Sequence, residues 1–242
     1  MFTVRVIPIA RGVFSDYLTF FSRTPIEIGS VVSISIRKRQ SYGIVVEAKD
    51  VREEKMDIRS ADFSLKKLGK TEPKRVFTAP FIAAAKEAAL WHGIRESAVL
   101  SSLAPKTILT SITQLEAAPR TESLIGVKPD SLVLQTERGE RVRTYRNVAR
   151  ESFARGESIL IITPTIIEAE TLTDELKRGI ESSVIVLTSE LPKKKLVASW
   201  NRIATDKTPL LIIGTGIARA APRAKIGPII IERASARAYR GI

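Results

Sequence analysis

The chain has 242 residues, of which 44% are hydrophobic and 27% charged, so it is long enough to bury a core and has the composition of a globular protein. Its lack of cysteine excludes disulfides and thiolate chemistry, and its single histidine, His92, excludes His-rich metal sites and Ser-His catalytic triads. Lysine and arginine exceed aspartate and glutamate by 39 to 26, a formal charge of +13 that favours a polyanionic partner, with nucleic acid ahead of an anionic membrane.

The hydrophobic residues form no segment suited to a membrane. The longest apolar runs, such as Pro209–Ile213, are far shorter than the roughly 20 residues of a membrane-spanning helix. The N-terminus alternates polar and apolar residues from Met1 and has no apolar region followed by a small-residue cleavage site, so no export signal is visible. We therefore expect a cytoplasmic protein that does not bind a membrane.

Residues 1–70 carry a two-residue repeat of apolar side chains. Apolar residues alternate with polar ones in Phe2–Val6 and in Val32–Ile36, and Tyr42–Ala48 is a further run of strand-forming residues. This pattern predicts a small antiparallel, barrel-like β domain over residues 1–70. One of its loops carries three basic residues that suit either a solvated hairpin tip or a contact with nucleic acid: Arg37, Lys38 and Arg39.

The spacing of apolar residues then becomes helical. Thr78 is suited to cap a helix and Gly93 to end it, and a second short helix is predicted to run through Leu103. The predicted apolar face of the first helix consists of Phe81, Ala85, Ala88 and His92. We predict a helical linker over residues 71–125. We assign no chemistry to His92, because a lone histidine on an apolar helix face is usually a packed residue.

Residues 126–242 alternate short apolar runs with longer amphipathic segments. The predicted strands are Leu132–Leu134, Ser158–Ile162, Val184–Leu187, Leu210–Ile213 and Ile229–Ile231. The predicted helices are Val142–Ala154, one that begins at a capping box of Thr165–Glu168, and one over Pro192–Ile203. Apolar strands separated by amphipathic helices predict a parallel sheet covered on both faces. The predicted fold class is therefore mixed, with a β domain, a helical linker and an α/β domain.

The loop before the first long helix of the α/β domain is the expected place for a phosphate-binding loop, because ligands bind at the carboxyl ends of parallel strands. Such a loop needs glycines, a lysine for the phosphates and a Ser or Thr hydroxyl for magnesium. This loop offers Gly139 alone, Arg141 in place of the lysine and Val142 in place of the hydroxyl, while Glu137 and Glu140 would repel phosphate. The pattern favours the start of a surface helix over a nucleotide site.

At the other end of this domain, the apolar run Ile229–Ile231 is followed by Glu232. A carboxylate in this position can hold magnesium through water, but Arg233–Ser235 supply no second carboxylate and no base. We count Gly139, Arg141 and Glu232 as the positions of a degenerate nucleotide site, with no catalytic residue and no metal ligand.

The order of short motifs along the chain resembles that of one known family. In the first 105 residues the motifs are Val6–Ile9, Phe14–Leu18, Gly29–Val32, Ser41–Val46, Glu72–Phe77 and Val99–Pro105. In the α/β part they are Ile162–Thr165, Thr188–Trp200, Ile213–Pro222 and Gly227–Tyr239. From Met1 to Arg240 this order is similar to that of primosomal protein N′ (PriA), the family of bacterial replication-restart helicases.

The resemblance implies a DNA-binding domain over 1–70, a linker over 71–125 and a RecA-like first helicase lobe over 126–242. The family uses ATP and magnesium, but its Gly-Ser-Gly-Lys-Thr motif is replaced here by Arg138–Val142 and its Asp-Glu-Glu-His motif by Glu232–Ser235. The family's second lobe, with its zinc-binding cysteines, is missing from this sequence. We therefore expect a degenerate lobe, no ATP hydrolysis and no cofactor.

The family's N-terminal domain holds the 3′ end of a DNA strand in a pocket that includes a Phe-Asp-Tyr element. By resemblance, Asp16 would accept hydrogen bonds from the terminal nucleotide, with Phe14 and Tyr17 packing beside it. Arg59 would meet the phosphate, and Arg37 replaces a glycine of the family, where it would crowd the pocket or add a phosphate contact. A purely structural role, as a turn carboxylate and a tyrosine at the core edge, stays open for Asp16 and Tyr17.

The function that this resemblance implies is DNA binding at forks or 3′ ends in replication restart and primosome assembly, without ATP hydrolysis. The partners would be DNA and, through the α/β lobe, single-strand-binding protein and primosome proteins. One alternative is an ATP-dependent 3′–5′ helicase fragment whose second lobe is a separate chain. Another is a non-enzymatic scaffold for restart proteins, with DNA binding that is insensitive to strand ends.

Overall fold

The computed structural model describes residues 1–9, 17–36, 39–51, 66–68, 72–121 and 130–239, and the chain divides into two units, Met1–Ala118 and Pro119–Ile242. Each unit has a sheet and a buried core of its own. In the described ranges, no helix combines the length and the hydrophobicity needed to cross a membrane.

The first unit begins with a mainly antiparallel sheet, as the alternation of apolar residues predicts. Its strands are β1 (Phe2–Pro8), β2 (Leu18–Ser22), β3 (Ser30–Ile36), β4 (Arg39–Asp50), β5 (Lys66–Lys67) and β6 (Lys74–Arg75). They lie in the order β5-β2-β1-β4-β3-β6, and every neighbouring pair is antiparallel except β2 and β5. The prediction of an antiparallel β domain is therefore confirmed.

Both faces of this sheet are buried, because Ile7, Val31 and Ile44 on one face are as fully buried as the alternate residues on the other. On the second of these faces a buried cluster consists of Val4, Val6, Phe20, Ile26, Val32, Ile34 and Val45. Gly29 precedes β3 with a φ of +84°, a left-handed value that favours glycine. A Cβ atom on Gly29 would stand 2.1 Å from the carbonyl oxygen of Phe77, so only glycine allows these two segments to approach.

Three helices follow the sheet within the first unit. They are α1 (Ala79–His92), α2 (Glu96–Leu103) and α3 (Lys106–Leu109), with a 3-10 helix over Ile112–Gln114. Thr78 caps α1 by accepting a hydrogen bond from the Phe81 N–H, and Gly93 ends it with a φ of +62°, as predicted.

The predicted packing face of α1 was right for Ala85, which is buried, and wrong for His92, while Phe81 and Ala88 are half-buried. The buried residues of this helix are Ile82, Ala85 and Ala89, whereas His92 is exposed. Because α1 is apolar around most of its circumference, its sequence does not mark which face packs.

The second unit contains a parallel sheet with helices between the strands. Its strands are β7 (Ser158–Ile162), β8 (Val184–Leu187), β9 (Leu211–Gly214) and β10 (Ile226–Ile231). Its helices are α4 (Arg138–Ala154), α5 (Ile166–Leu176) and α6 (Lys193–Thr205), with 3-10 helices over Glu181–Ser183, Gly216–Ala220 and Arg237–Tyr239. The strand order is β10-β7-β9-β8, and all pairs are parallel, so the prediction of an α/β domain is confirmed.

The two faces of the parallel sheet are buried by different helices. On one face α4 and α5 pack against alternate strand residues, in a cluster that contains Val142, Tyr145, Ala149, Ile159, Ile161, Ala169, Leu172, Leu176, Leu211 and Ile213. Leu160 and Ile212 point to the opposite face, where α6 buries Trp200. Thr165 caps α5 by accepting a hydrogen bond from the Glu168 N–H at 3.2 Å, which is one half of the predicted capping box, while the Glu168 carboxylate pairs with Arg233.

Two predictions about the strands of this unit were wrong. Leu132–Leu134 is not a strand, because this short segment pairs with no strand in the described part of the chain and the side chains of Leu132 and Val133 are 91% and 90% exposed. Ile229–Ile231 is a strand but not a buried one, because β10 pairs with β7 on one side and its Ile229 and Ile231 side chains are 60% and 56% exposed. The pairing of β10 also shifts register between Ile226 and Ile229.

Candidate functional site

The carboxyl ends of the four parallel strands meet at one edge of the second sheet. Ile162, Gly214, Leu187 and Ile231 stand side by side in the ladder. The residues that follow them therefore lie along the same edge: Thr163, Thr215, Thr188 and Glu232. This edge is where α/β sheets bind ligands, and it contains the predicted degenerate nucleotide site.

At the β10 end of this edge lies an ion pair between Arg141 on α4 and Glu232 after β10. The Arg141 guanidinium donates to Glu232 Oε1 from Nη2 at 2.9 Å and from Nε at 3.2 Å. Its Nη1 donates to the carbonyl oxygen of Thr136 at 2.8 Å. The side chains are largely buried, with 22% of Arg141 and 10% of Glu232 exposed. All three nitrogens of the guanidinium are therefore engaged within the chain.

Two tyrosines complete the surroundings of Glu232. The Tyr145 hydroxyl donates to Glu232 Oε2 at 2.5 Å, and the Tyr239 hydroxyl lies within hydrogen-bonding distance of two carbonyl oxygens, 2.8 Å from Glu232 and 3.0 Å from Ile162. Burial, followed by the hydrogen bond to Glu232, raises the pKa of Tyr145, and burial raises the pKa of Tyr239 to about 12. Both tyrosines are therefore neutral hydrogen-bond donors at neutral pH.

This arrangement does not fit a nucleotide with magnesium. A phosphate site needs a free cation and inward-pointing backbone N–H groups, but Arg141 is committed to Glu232. Gly139 lies in the first turn of α4, and a Cβ atom added to it would meet no other atom within 4 Å. Among the described residues, Gly139 forms no hydrogen bond with Arg141 or Glu232. Both oxygens of Glu232 are occupied, so this carboxylate does not offer a free ligand to a metal ion.

In the first unit, the predicted DNA-binding residue Tyr17 contacts a buried carboxylate. The Tyr17 hydroxyl donates to Glu96 Oε2 at 2.7 Å, while the Tyr17 side chain is 41% exposed. Glu96 is the first residue of α2, with only 8% of its surface exposed. Its other oxygen, Oε1, is buried without a hydrogen-bond partner among the described residues.

The structure describes only one of the other six predicted DNA-binding residues. Phe14, Asp16, Arg37, Lys38 and Arg59 lie outside the described residues. The sixth, Arg39, is the first residue of β4 and pairs with Ile36 across the hairpin.

Comparison with known proteins identifies no family for this chain. No model of a known protein family matches the chain, and no curated protein matches it. Function therefore has to be inferred from the side chains and the charge of this chain.

Several residues of these sites were missed by sequence reasoning. Tyr145 lies one helical turn after Arg141, a spacing that places both on one face of α4, and this spacing was the available signal. Glu96 and Tyr239 carried no comparable signal, because Glu96 is separated from Tyr17 by 79 residues and the Tyr239 hydroxyl binds main-chain carbonyls.

Two exposed basic groups were also missed. Arg143, Arg146 and Arg150 occupy positions i, i+3 and i+7 of α4, so they form one row on its exposed side. Lys193, Lys194 and Lys195 form the exposed first turn of α6, which contains no acidic residue. The first row was visible in the sequence as helical spacing, and the second as a run of like charges.

Proposed function

We propose that this protein binds DNA at forks or 3′ ends in replication restart and primosome assembly, without hydrolysing ATP. Its partners in this proposal are DNA first, and single-strand-binding protein and primosome proteins second. The proposal includes a cytoplasmic location and no role for a membrane.

Positive charge in both units is the observation that carries the proposal. Met1–Ala118 contains 18 lysine and arginine residues against 12 aspartate and glutamate residues, a formal charge of +6. Pro119–Ile242 contains 21 against 14, a formal charge of +7. The two values account for the +13 of the whole chain. Such an excess favours a polyanion, because each neutralised phosphate releases a condensed counterion.

Exposed basic groups supply contacts for the phosphate backbone. Arg143 and Arg150 on α4 are exposed, and among the described residues no carboxylate forms an ion pair with either of them. The row of Lys193–Lys195 adds its charge to the positive end of the α6 helix dipole, which strengthens the local attraction for anions. These contacts suit backbone binding that is independent of base sequence.

The Arg141–Glu232 ion pair supports the absence of ATP hydrolysis. Binding of a phosphate by Arg141 would have to break two hydrogen bonds to Glu232 and leave this buried carboxylate without its cation. The helicase alternative requires this cost before any chemistry begins. We therefore place the helicase fragment behind the DNA-binding proposal.

The finer fold assignments are part of the same proposal. Four parallel strands with helices on both faces support a RecA-like lobe for the second unit. A register shift at Arg5–Val6 in the pairing of β1 with β4 supports a curved, barrel-like sheet for the first unit, because bulges bend strands.

The scaffold alternative is favoured by one specific observation. On α1 the side chains of Leu90 and Trp91 are 76% and 87% exposed, and large exposed apolar groups are typical of surfaces that bind other proteins. Under this alternative, protein partners would bind tightly and DNA affinity would not depend on the strand end.

The test is fluorescence-anisotropy titration of a labelled partial duplex that ends in a 3′-hydroxyl, against the same duplex with a 3′-phosphate, at one salt concentration and without ATP. We expect the hydroxyl duplex to bind about tenfold more tightly, a difference of about 1.4 kcal/mol. Asp16→Ala should remove the preference, and the matched control Asp130→Ala, which removes one exposed carboxylate in the second unit, should keep it.

Two outcomes of this titration would count against the proposal. Equal affinity for the two duplexes would eliminate 3′-end recognition and favour the scaffold. Magnesium-dependent binding of an ATP analogue, measured on the same preparation, would overturn the absence of nucleotide chemistry.

A further inference from the structure

The exposed side of α1 carries two large apolar residues and two small ones at a regular spacing. The Leu90 and Trp91 side chains are 76% and 87% exposed, and Ala83 and Ala84 are exposed on the same helix. Each large residue follows a small one by two helical turns, which is about 10.5 Å along the helix axis. The two pairs therefore lie on the same side of α1, the small pair in its first half and the large pair at its end.

The surface beside Trp91 is concave. A shallow depression of about 330 Å³ is lined by Ala84, Glu87, Ala88, Trp91 and His92. The small side chains of the two alanines leave space between the larger ones, so the depression has room for an aromatic ring. The exposed side of α1 thus carries both a projecting aromatic side chain and a hollow for one.

This pattern is complementary to itself. When two copies of α1 pack antiparallel about a two-fold axis between Glu87 and Ala88, Trp91 of each copy lies over Ala84 of the other, and Leu90 lies beside Ala83. Large side chains then meet small ones at both ends of the contact, as interdigitated helix packing requires. A parallel pair would instead place large against large and small against small.

The area of this contact suits a weak dimer. Leu90 and Trp91 together expose roughly 350 Å² of side chain in each copy. Because each side chain covers a similar area on the opposite helix, the two copies bury roughly 1,200 Å² in total, which is the lower limit of specific interfaces. We therefore expect dimerisation at micromolar concentration.

We propose that the exposed side of α1 is a homodimer interface, and that α1 of a second copy of this chain occupies it in the antiparallel arrangement. This inference goes beyond the proposed function and does not depend on it, because the contact involves no DNA.

Two electrostatic effects oppose the contact and give it a signature. Both copies carry a formal charge of +13, so they repel each other, and added salt screens this repulsion. The two Glu87 carboxylates lie next to the axis, where like charges also repel. Dimerisation should therefore strengthen as the salt concentration rises, whereas binding to DNA weakens.

Sedimentation velocity of the full chain, freed of nucleic acid and measured over the micromolar range, tests the inference. We expect Trp91→Ala to raise the dissociation constant of the dimer about 30-fold, because it removes the largest side chain of the contact. The control is Leu132→Ala, which removes an equally exposed apolar side chain from the second unit and should leave this constant unchanged. Far-UV circular dichroism verifies that each variant is folded.

Two further variants test the antiparallel arrangement itself. Ala84→Leu fills the hollow that receives Trp91, so it should raise the dissociation constant about tenfold, although the added apolar surface would strengthen a non-specific contact. Glu87→Gln removes the repulsion at the axis and should lower the constant about threefold.

A dimer that is weakened by Trp91→Ala and Ala84→Leu and tightened by Glu87→Gln supports the inference. A chain that stays monomeric over the micromolar range overturns it and leaves Leu90 and Trp91 to a different protein partner. A dimer that tolerates Trp91→Ala or Ala84→Leu overturns it as well, because the two copies then meet at another surface or in another arrangement. The DNA titration is a separate measurement, so failure of this inference leaves the proposed function standing.

Discussion

Glu96 in the first unit and Glu232 in the second are equally buried, each with 8% of its surface exposed, but their hydrogen bonding differs. Glu232 has both oxygens engaged, Oε1 by Arg141 and Oε2 by Tyr145. Glu96 accepts one hydrogen bond, from Tyr17, and its second oxygen has no partner among the described residues. Burial alone thus does not mark a functional carboxylate. The second oxygen separates a carboxylate that the chain satisfies fully from one that it satisfies in part.

The largest change in the free energy of unfolding is expected when the Arg141–Glu232 ion pair is removed. Arg141→Ala would leave the Glu232 carboxylate buried without its cation, so we expect the free energy of unfolding to fall by about 3 kcal/mol. Arg143→Ala on the exposed side of the same helix is the control and should change it by less than about 0.5 kcal/mol. Urea denaturation followed by circular dichroism measures both variants. Equal stability of the two variants would show that the ion pair is not a structural element.

Replacing each carboxylate by an amide tests whether Glu232 and Glu96 differ in their contribution to stability. Glu232→Gln weakens the hydrogen bonds from Arg141 and Tyr145, and we expect it to cost about 2 kcal/mol of unfolding free energy. Glu96→Gln keeps its one bond to Tyr17, so we expect a change of less than about 0.5 kcal/mol. Parallel urea denaturation of the two variants is the measurement, and similar losses at both sites would contradict the difference drawn between them.

Alkaline pH is expected to lower the free energy of unfolding by a smaller amount, through the two tyrosines around Glu232. The pKa of Tyr145 lies above its ordinary value of 10 because of burial and the bond to Glu232, and burial raises the pKa of Tyr239 to about 12. In the unfolded chain both tyrosines ionise near pH 10, so the stability linked to them is complete below that pH and is lost as the pH rises through the folded values. Unfolding free energies measured at a series of pH values should fall above pH 10, and Tyr145→Phe should fall less steeply. A variant curve as steep as that of wild type would contradict this account.

The sequence predicted helix ends and buried helix faces best, because these depend on residues that are close together in the chain. Thr78 and Thr165 cap helices, and Gly93 ends a helix with a left-handed φ, all as predicted. The buried stripe of α5, formed by Ala169, Leu172 and Leu176, also follows directly from helical spacing. These features depend on neighbours within one turn of the chain, so the sequence contains the necessary information.

Features that depend on distant segments were predicted less well. The positions of Arg141 and Glu232 were named from the sequence as parts of a degenerate nucleotide site, but their mutual ion pair joins residues 91 apart and has no local signal. Leu132–Leu134 has the composition of a strand and lacks a strand partner among the described residues. The exposed faces of His92 and Ile229 depend on which neighbouring elements cover them, which apolar periodicity does not report.

The interruption in β10 has a consequence for the behaviour of the protein at high concentration. A strand at the border of a sheet with exposed Ile229 and Ile231 is a template on which another chain can add a strand and begin aggregation. The register shift at Gly227 and Pro228 breaks this template in its middle, and Pro228 has no N–H group to offer to an incoming strand. The register shift and the proline therefore oppose intermolecular strand pairing at this exposed apolar strand.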